Sequence, residues 1–491
     1  MIDTRHWDRN RWGVLVASKK NVTKLLNSTN QTIAFTNAKQ KEDQDSTYYK
    51  NFMEFVEKLK EQKAKVFLPD KLKIQDLVVT NIPNKHFTPE TIKKPIYYYY
   101  NERTLEGKPY NQAVAQVQPS SYDIFANRIC KISVLTLEQY EGSTGSFIKK
   151  IENNLKNTFH AKVEINTHVI TGDTQQYIEA IKEIDFQNND LVIVVVSEKD
   201  KALPIEQSPY HHVKAKLIGM RIPTQDLTIE KVKNSNVYIE NNVTLNIYAK
   251  LGGTAWTIEK DEKNKQELII GIGATTSRTR DQIIGFANIF DHNGTYLVGN
   301  CSQLSTKANY KENLTKHLVK SIRNQIEQKS INKETPLRLI FHLFKDAGNK
   351  YEIAAINEAL EEFIEYNIQY ALVHLSYEHN YYIFCQSGNI PIARGTYVPI
   401  DNDQALLHLG QKSKTPILVK VDFRSTYKDI FALSKQILFF AHLSQRNYIP
   451  ASTPVTIHYP KLMAKLSDEL KIVPSWDINQ LEMVQDKLWF I

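Results

Sequence analysis

The chain has 491 residues, 42% of them hydrophobic and 24% charged, with 62 lysines and arginines against 54 acids and a net charge of +8. That balance suits a globular chain with core enough for about three domains, and it excludes disordered, fibrous and disulfide-stapled classes. Three cysteines far apart, Cys130, Cys301 and Cys385, encode neither a disulfide framework nor a zinc site, which points to a reducing, cytoplasmic setting.

The opening MIDTRHWDRNRWG is charged and has no apolar centre, so it does not read as a secretory signal. The run LVIVVV at Leu191 to Val196 is far too short to span a bilayer, and no membrane association is expected. Residues 1–95 read as a small α/β unit: GVLVA and KVFLP are strand-like, and YKNFMEFVEKLKEQ is an amphipathic helix. Residues 96–129, which carry the tyrosine-rich YYYYNERTLEGKPYNQ, suit a linker or a clasp.

From 130 to 258 the pattern alternates. ICKISVLTL, AKVEINTHVI and DLVIVVVSE read as strands, and GSFIKKIENNLKNTF and TQQYIEAIKEI read as the helices between them. YHHVKAKLIGM continues as a helix, IPTQDL as a turn, and a helix is expected around Val243 to Lys250. Fully apolar strands in βαβαβ order predict a parallel sheet covered by helices on both faces, a Rossmann-like domain. The polar EKDEKNKQE then reads as a hinge into a last domain, 259–491. Its first strands are LIIGIGAT, QIIGFANIF and TYLVG. The last two are joined through Asp291-His292-Asn293-Gly294, a strong hairpin signal. Helix, strand, helix and strand follow, an order that matches a ribonuclease-H-like fold.

One stretch poses the functional question. QELIIGIGATTSR ends a buried strand in glycines and hydroxyls, where a strand at a site edge commonly presents a carboxylate. It lacks the third glycine of a dinucleotide fingerprint, and no P-loop, nucleophile elbow or zinc spacing occurs elsewhere.

Over roughly residues 95 to 491 the sequence resembles the MID and PIWI domains of Argonaute proteins. The resemblance is carried by SPYHHVKAKLIGMRIPTQ, YIENNVTLNIYAKLGGTAWTI, LIIGIGATTSR, STPVTIHYPKLMAKL and the terminal KLWFI. No PAZ region is recognisable, so the chain looks like a short prokaryotic Argonaute. Independently, Tyr210 and Lys214 are four apart on one helix face, Gln225 follows the next turn, and Lys250 precedes Gly252 and Gly253. Two ammonium groups, a phenol and an amide form a suitable pocket for a terminal phosphomonoester. The resemblance makes these four residues the binders of a guide strand's 5′-phosphate. It adds His211 and Asn242 as neighbours, and the C-terminal carboxylate of Ile491 as a ligand for Mg²⁺ shared with the phosphate.

Cleaving members of the family hold two metal ions on carboxylates. By resemblance the positions of those carboxylates are here Gly273, Phe344 and Lys461, with Asp346 the one acidic neighbour. The expectation is therefore a protein that is not itself an enzyme. It would bind a short guide, RNA by resemblance, and pair it with single-stranded target DNA, with Arg278, Arg280, Lys412, Lys414 and Arg446 available to phosphates. The resemblance also implies a separately encoded partner carrying an APAZ region and an effector (TIR, sirtuin-like or nuclease), in immunity against plasmids or phage. Two alternatives stay open at this stage: a guide-independent nucleic-acid or partner-binding scaffold, and a nuclease with an atypical metal site.

Overall fold

The computed structural model describes residues 89–105, 109–259, 266–276, 282–306, 309–344, 351–379, 392–410, 415–474 and 476–491, with 54, 381 and 383 in isolation. All of these but Glu54 belong to one compact unit, Val78–Phe384 with Pro391–Ile491. The small α/β unit expected before residue 89 lies outside the described residues, as do Arg278, Arg280, Asp346, Lys412 and Lys414.

Four parallel strands form the first sheet: β1 (Ile129–Leu137), β2 (Lys162–Ile170), β3 (Leu191–Val196) and β4 (Thr224–Thr228), in the order β2-β1-β3-β4. Every residue of β3 is buried, because successive side chains enter two different cores. Ile193 and Val195 pack with Phe147, Ile151 and Leu155 of helix α1 (Glu141–Phe159). Val192 and Val194 pack with Tyr177 and Ile181 of α2 (Thr174–Glu183) and Val213 and Leu217 of α3 (Pro209–Ile218). The Rossmann-like expectation therefore describes this sheet, with one correction. IPTQDL is not only a turn, since Thr224–Thr228 is the edge strand β4, too short and polar to show an apolar run. The following helix α4 (Val237–Lys250) also starts earlier than expected, at an Asn236 cap whose side chain accepts from the Ile239 amide.

The tyrosine-rich segment is more ordered than a linker. Tyr97–Tyr98 pairs with both Thr104–Leu105 and Thr257–Ile258 in a three-stranded sheet, and Tyr97 and Tyr99 are buried.

Among the described residues the large sheet has nine strands. Its centre comprises β5 (Glu267–Thr276), β6 (Gln282–Asp291), β7 (Tyr296–Thr306), β8 (Arg338–Phe344) and β9 (Gln369–Ser376). β5, β6 and β7 are antiparallel neighbours, and β8 runs parallel to both β5 and β9. β10 (Thr396–Pro399), β11 (Gln404–Leu407) and β12 (Ile417–Val421) extend it, and Glu90–Thr91 pairs with β10 at the edge. The Asn-Gly hairpin joins β6 to β7, with Gly294 at φ +82°.

The two faces of β5 have different coverings. Leu268, Ile270 and Ile272 pack with α5 (Tyr310–Gln328) and α6 (Glu352–Glu361), whereas Ile269 joins the core of α7 (Ile430–Ala441) and α8 (Val455–Leu470). Gly271 and Gly273 share the face of Ile269. A Cβ on Gly271 would lie 1.8 Å from the Thr456 carbonyl oxygen, so α8 reaches the sheet only because this position is glycine. Among the described residues no helix is long and apolar enough to cross a membrane.

Candidate phosphate pocket and the edge of the ribonuclease-H-like sheet

Helix α3 begins with Pro209 in its first turn, where a missing amide costs nothing, and carries Lys214 one turn beyond Tyr210. Strand β4 supplies Thr224 and Gln225, and α4 ends in Lys250. The three elements converge on Thr224. Lys214 Nζ donates to Thr224 Oγ1 at 3.0 Å, and Lys250 Nζ donates to the Thr224 carbonyl at 2.8 Å and to Gln225 Oε1 at 3.0 Å. The Lys214 ammonium lies 5.4 Å from the centre of the Tyr210 ring. Lys214, Gln225, Lys250 and Tyr210, singled out in the sequence, thus share one site.

The electrostatics of this site are unusual. Lys214 is 1% exposed and Lys250 2% exposed, yet neither forms an ion pair among the described residues. The nearest acid in their field, Asp226, is already held by Lys201. Burial pushes the Lys214 ammonium from 10.5 down to about 7, against a smaller opposing pull from Asp226. Lys250 is pushed well down, first by burial and then by Lys214 itself. Two buried cations without a counter-ion are costly unless an anion joins them.

Three participants were invisible in the sequence. Thr224 connects both lysines, and no spacing rule marks a lone threonine. The carbonyl oxygen of Trp489 accepts from Lys214 at 2.9 Å, which brings the C-terminal segment ending in Ile491 to the site. Asp226 keeps one buried oxygen, Oδ1, without a hydrogen-bond partner. His211 and Asn242 are placed differently. His211 Nε2 faces Glu469 at 3.8 Å, and its ring meets that of Tyr210 at 5.0 Å between centroids. Asn242 accepts from the Tyr448 amide at 3.4 Å, and its carbonyl accepts from Asn246, so it braces the 445–448 loop beside the pocket.

The second region lies where β8 ends beside β5. Phe344 is the last residue of β8, Gly273 lies within β5, which continues to Thr276 instead of ending at the glycine, and Lys461 stands on α8 above them. A Cβ on Gly273 would lie 2.8 Å from Pro460 Cβ and 3.4 Å from the Lys461 amide nitrogen. The Lys461 ammonium rests 5.2 Å from the centre of the Phe344 ring. The three positions marked in the sequence as lacking carboxylates are therefore immediate neighbours. Behind them His342 is fully buried, with Nδ1 at 2.8 Å from Thr456 Oγ1, and burial holds it down at about 3. It is a neutral core histidine. Among the described residues no group of three or more His, Cys, Asp or Glu is arranged to hold a metal ion.

Comparison with known proteins places both regions in context. The Piwi domain family model matches residues 191–470. The chain is 25% identical over 434 residues to "Protein argonaute" of Cereibacter sphaeroides, a match covering 77% of this chain and 56% of that protein. It is 23% identical over 370 residues to "Piwi protein" of Archaeoglobus fulgidus, covering 69% and 86% respectively. Among solved structures, Clostridium butyricum Argonaute bound to a guide DNA and a 19-mer target DNA is 17% identical, with a TM-score of 0.66 over 93% of this chain and 61% of that one. A. aeolicus Argonaute is 18% identical, with a TM-score of 0.61 over 86% and 58%. These two structures share the fold, and the chain spans little more than half the length of the first relative and of both solved proteins.

Proposed function

The chain belongs to the Piwi domain family, matched over more than half its length, and from that premise we propose that it anchors a short nucleic-acid guide by its 5′-phosphate. One observation carries the reading: the paired ammonium groups of Lys214 and Lys250, buried on Thr224 without a counter-ion. A terminal phosphate brings roughly −1.5 to −2 charges and strong acceptor oxygens, which matches two buried cations and the amide of Gln225. The solved Clostridium butyricum Argonaute is bound to a guide DNA and a 19-mer target DNA. We take RNA as the guide and complementary single-stranded DNA as the target of this protein.

The fit to Mg²⁺ is conditional. The carboxylate of Ile491, two residues beyond the Trp489 carbonyl that meets Lys214, and the unpartnered Asp226 Oδ1 are hard oxygen donors of the type Mg²⁺ takes. Two buried ammonium groups oppose a free divalent cation, so the ion is proposed to enter only with the phosphate. There it would neutralise charge between the phosphate and the C-terminal carboxylate.

We further propose that the paired target is held and not cut. Beside the end of β8, a glycine closed over by Pro460 and a lysine resting on a phenylalanine stand where, by resemblance, carboxylates would have to hold two cations. Base pairing then supplies the sequence specificity, and protein contacts supply position. The output is assigned to a separate APAZ-bearing effector protein, in defence against plasmids or phage, a role supported by resemblance alone.

The direct test compares dissociation constants of one oligonucleotide carrying a 5′-phosphate or a 5′-hydroxyl. A preference of about 100-fold for the phosphate, abolished in Lys214→Glu, is expected. Equal binding of both ends by the unmodified protein would remove the pocket assignment.

A further inference from the structure

Lys461 is exposed on the first half of α8, and among the described residues it makes no ion pair. One turn earlier on the same face is His458, half-buried, whose Nε2 accepts from Arg446 Nη1 at 3.1 Å. Burial is the first cause of a lowered His458, held at about 4, and the positive fields of Arg446 and Lys461 push it further the same way. Arg446 also depresses Lys250, and its backbone carbonyl accepts at 2.8 Å from Asn246, one turn before Lys250 on α4. Positive charge therefore runs from the phosphate pocket through Arg446 to Lys461 at the end of β8, with the neutral His458 ring between the two cations accepting from Arg446. No acidic side chain pairs with Arg446, His458 or Lys461 among the described residues.

A lysine with no acid to hold it usually waves in solvent, losing nothing by its freedom. This one instead lies over the Phe344 ring at a strand end, a contact worth only about 0.5–1 kcal/mol when exposed. Such a contact fixes the direction of the ammonium while leaving its charge uncompensated. An incoming phosphodiester oxygen offers a stronger, charge-assisted hydrogen bond and does not require the ring contact to break.

We propose that Lys461, braced on Phe344 and backed by the Arg446 guanidinium, binds a backbone phosphodiester of a nucleic-acid strand passing the end of β8 beside Gly273. One fixed ammonium takes the place of bound metal ions as the electrostatic partner of that phosphate. The residue at Gly273 is glycine so that α8 can bring Lys461 close. This rests on the guide-binding reading above for the identity of the strand, and the chemistry it recognises is the phosphodiester, of guide or target.

The experiment uses the whole chain and three variants: Lys461→Met, which keeps the apolar stem over Phe344, Lys461→Arg, which keeps the charge, and Lys461→Glu. Binding is measured from about 0.05 to 0.3 M salt in two arms, guide alone and guide followed by complementary DNA. Each phosphate contact contributes a slope of about 0.9 in log affinity against log salt on a duplex and about 0.7 on a single strand. Lys461→Met is expected to lose about one such contact and about three- to tenfold in affinity, Lys461→Glu more, and Lys461→Arg almost nothing. Loss in the guide-alone arm assigns the phosphate to the guide; loss only after target addition assigns it to the target. An unchanged slope and affinity for Lys461→Met and Lys461→Glu in both arms would overturn the proposal. The 5′-phosphate preference of the same samples reports separately on the pocket, because Lys461 does not touch it.

Discussion

The buried state of Lys214 makes guide binding depend on pH in a direction that can be worked out in advance. Holding its ammonium at about 7 instead of 10.5 corresponds to about 5 kcal/mol against the charged form at 1.36 kcal/mol per decade. A phosphate against the ammonium restores the charged form, so binding above pH 7 must take up a proton. The ratio of affinities for 5′-phosphate and 5′-hydroxyl guides is therefore expected to fall by up to about tenfold per pH unit above 7, until the bound lysine itself titrates. Below about pH 6 the phosphate takes a proton of its own, which places the optimum between about 6 and 7. Fluorescence anisotropy with labelled guides from pH 6 to 9.5 reads this directly. Lys214→Arg, whose charge does not titrate in that range, should remove the Lys214 share of the slope and leave that of Lys250, which burial also pushes down. In the free protein the sign is opposite. The unfolded chain holds the proton between about 7 and 10.5 and the folded chain does not, so stability rises with pH across that window, and guide-loaded protein should show no such rise. A ratio unchanged from pH 7 to 9 in the unmodified protein would refute the reasoning.

Other outcomes follow from single contacts. Lys250→Met should weaken phosphorylated guides by about 10- to 100-fold, the range of a lost charge-assisted contact of about 1.5–3 kcal/mol, with little effect on hydroxyl-ended guides. Gly271→Ala should destabilise the chain by several kcal/mol in a denaturant titration or prevent folding, because its methyl would overlap the Thr456 carbonyl. Gly273→Asp should not confer metal-dependent cutting on a matched target, since the new side chain meets Pro460 and stands beside Lys461. Asp291 has burial working against it, but the hydrogen bonds from His292 and Lys329 prevail and hold its carboxyl down at about 2. Asp291→Asn should therefore cost about 1–2 kcal/mol above pH 4, a difference that disappears as pH falls from about 4 to 2.

Much of this was legible in the sequence where the physics is local. The all-apolar LVIVVV reads as a strand covered on both faces, and that is how Val192 to Val195 divide between two cores. The four-residue spacing of Tyr210 and Lys214 and the Asn-Gly hairpin rest on backbone periodicity and turn geometry, which a sequence displays. β4 did not show, because TQDLT is a short, polar edge strand whose Thr224 and Gln225 side chains find their partners in the site it builds. Thr224 was missed for the same reason: its role comes from two lysines arriving from other helices. His211 was assigned by resemblance and Asn242 by its face of the helix, and tertiary packing turned them toward Glu469 and Tyr448. The neighbourhood of Gly273, Phe344 and Lys461 came from resemblance, whereas the reason for the glycine lies in the closeness of α8, which no local pattern encodes.

The central claim is guided, non-cutting capture, and one measurement addresses it most directly. Protein loaded with a 5′-phosphorylated RNA guide is mixed with labelled complementary and scrambled single-stranded DNA in Mg²⁺ or Mn²⁺, and the bound strands are run on a denaturing gel. The expected result is retention of the complementary strand alone, at full length. Retention regardless of sequence, or a shortened product cut at a fixed position, would contradict it.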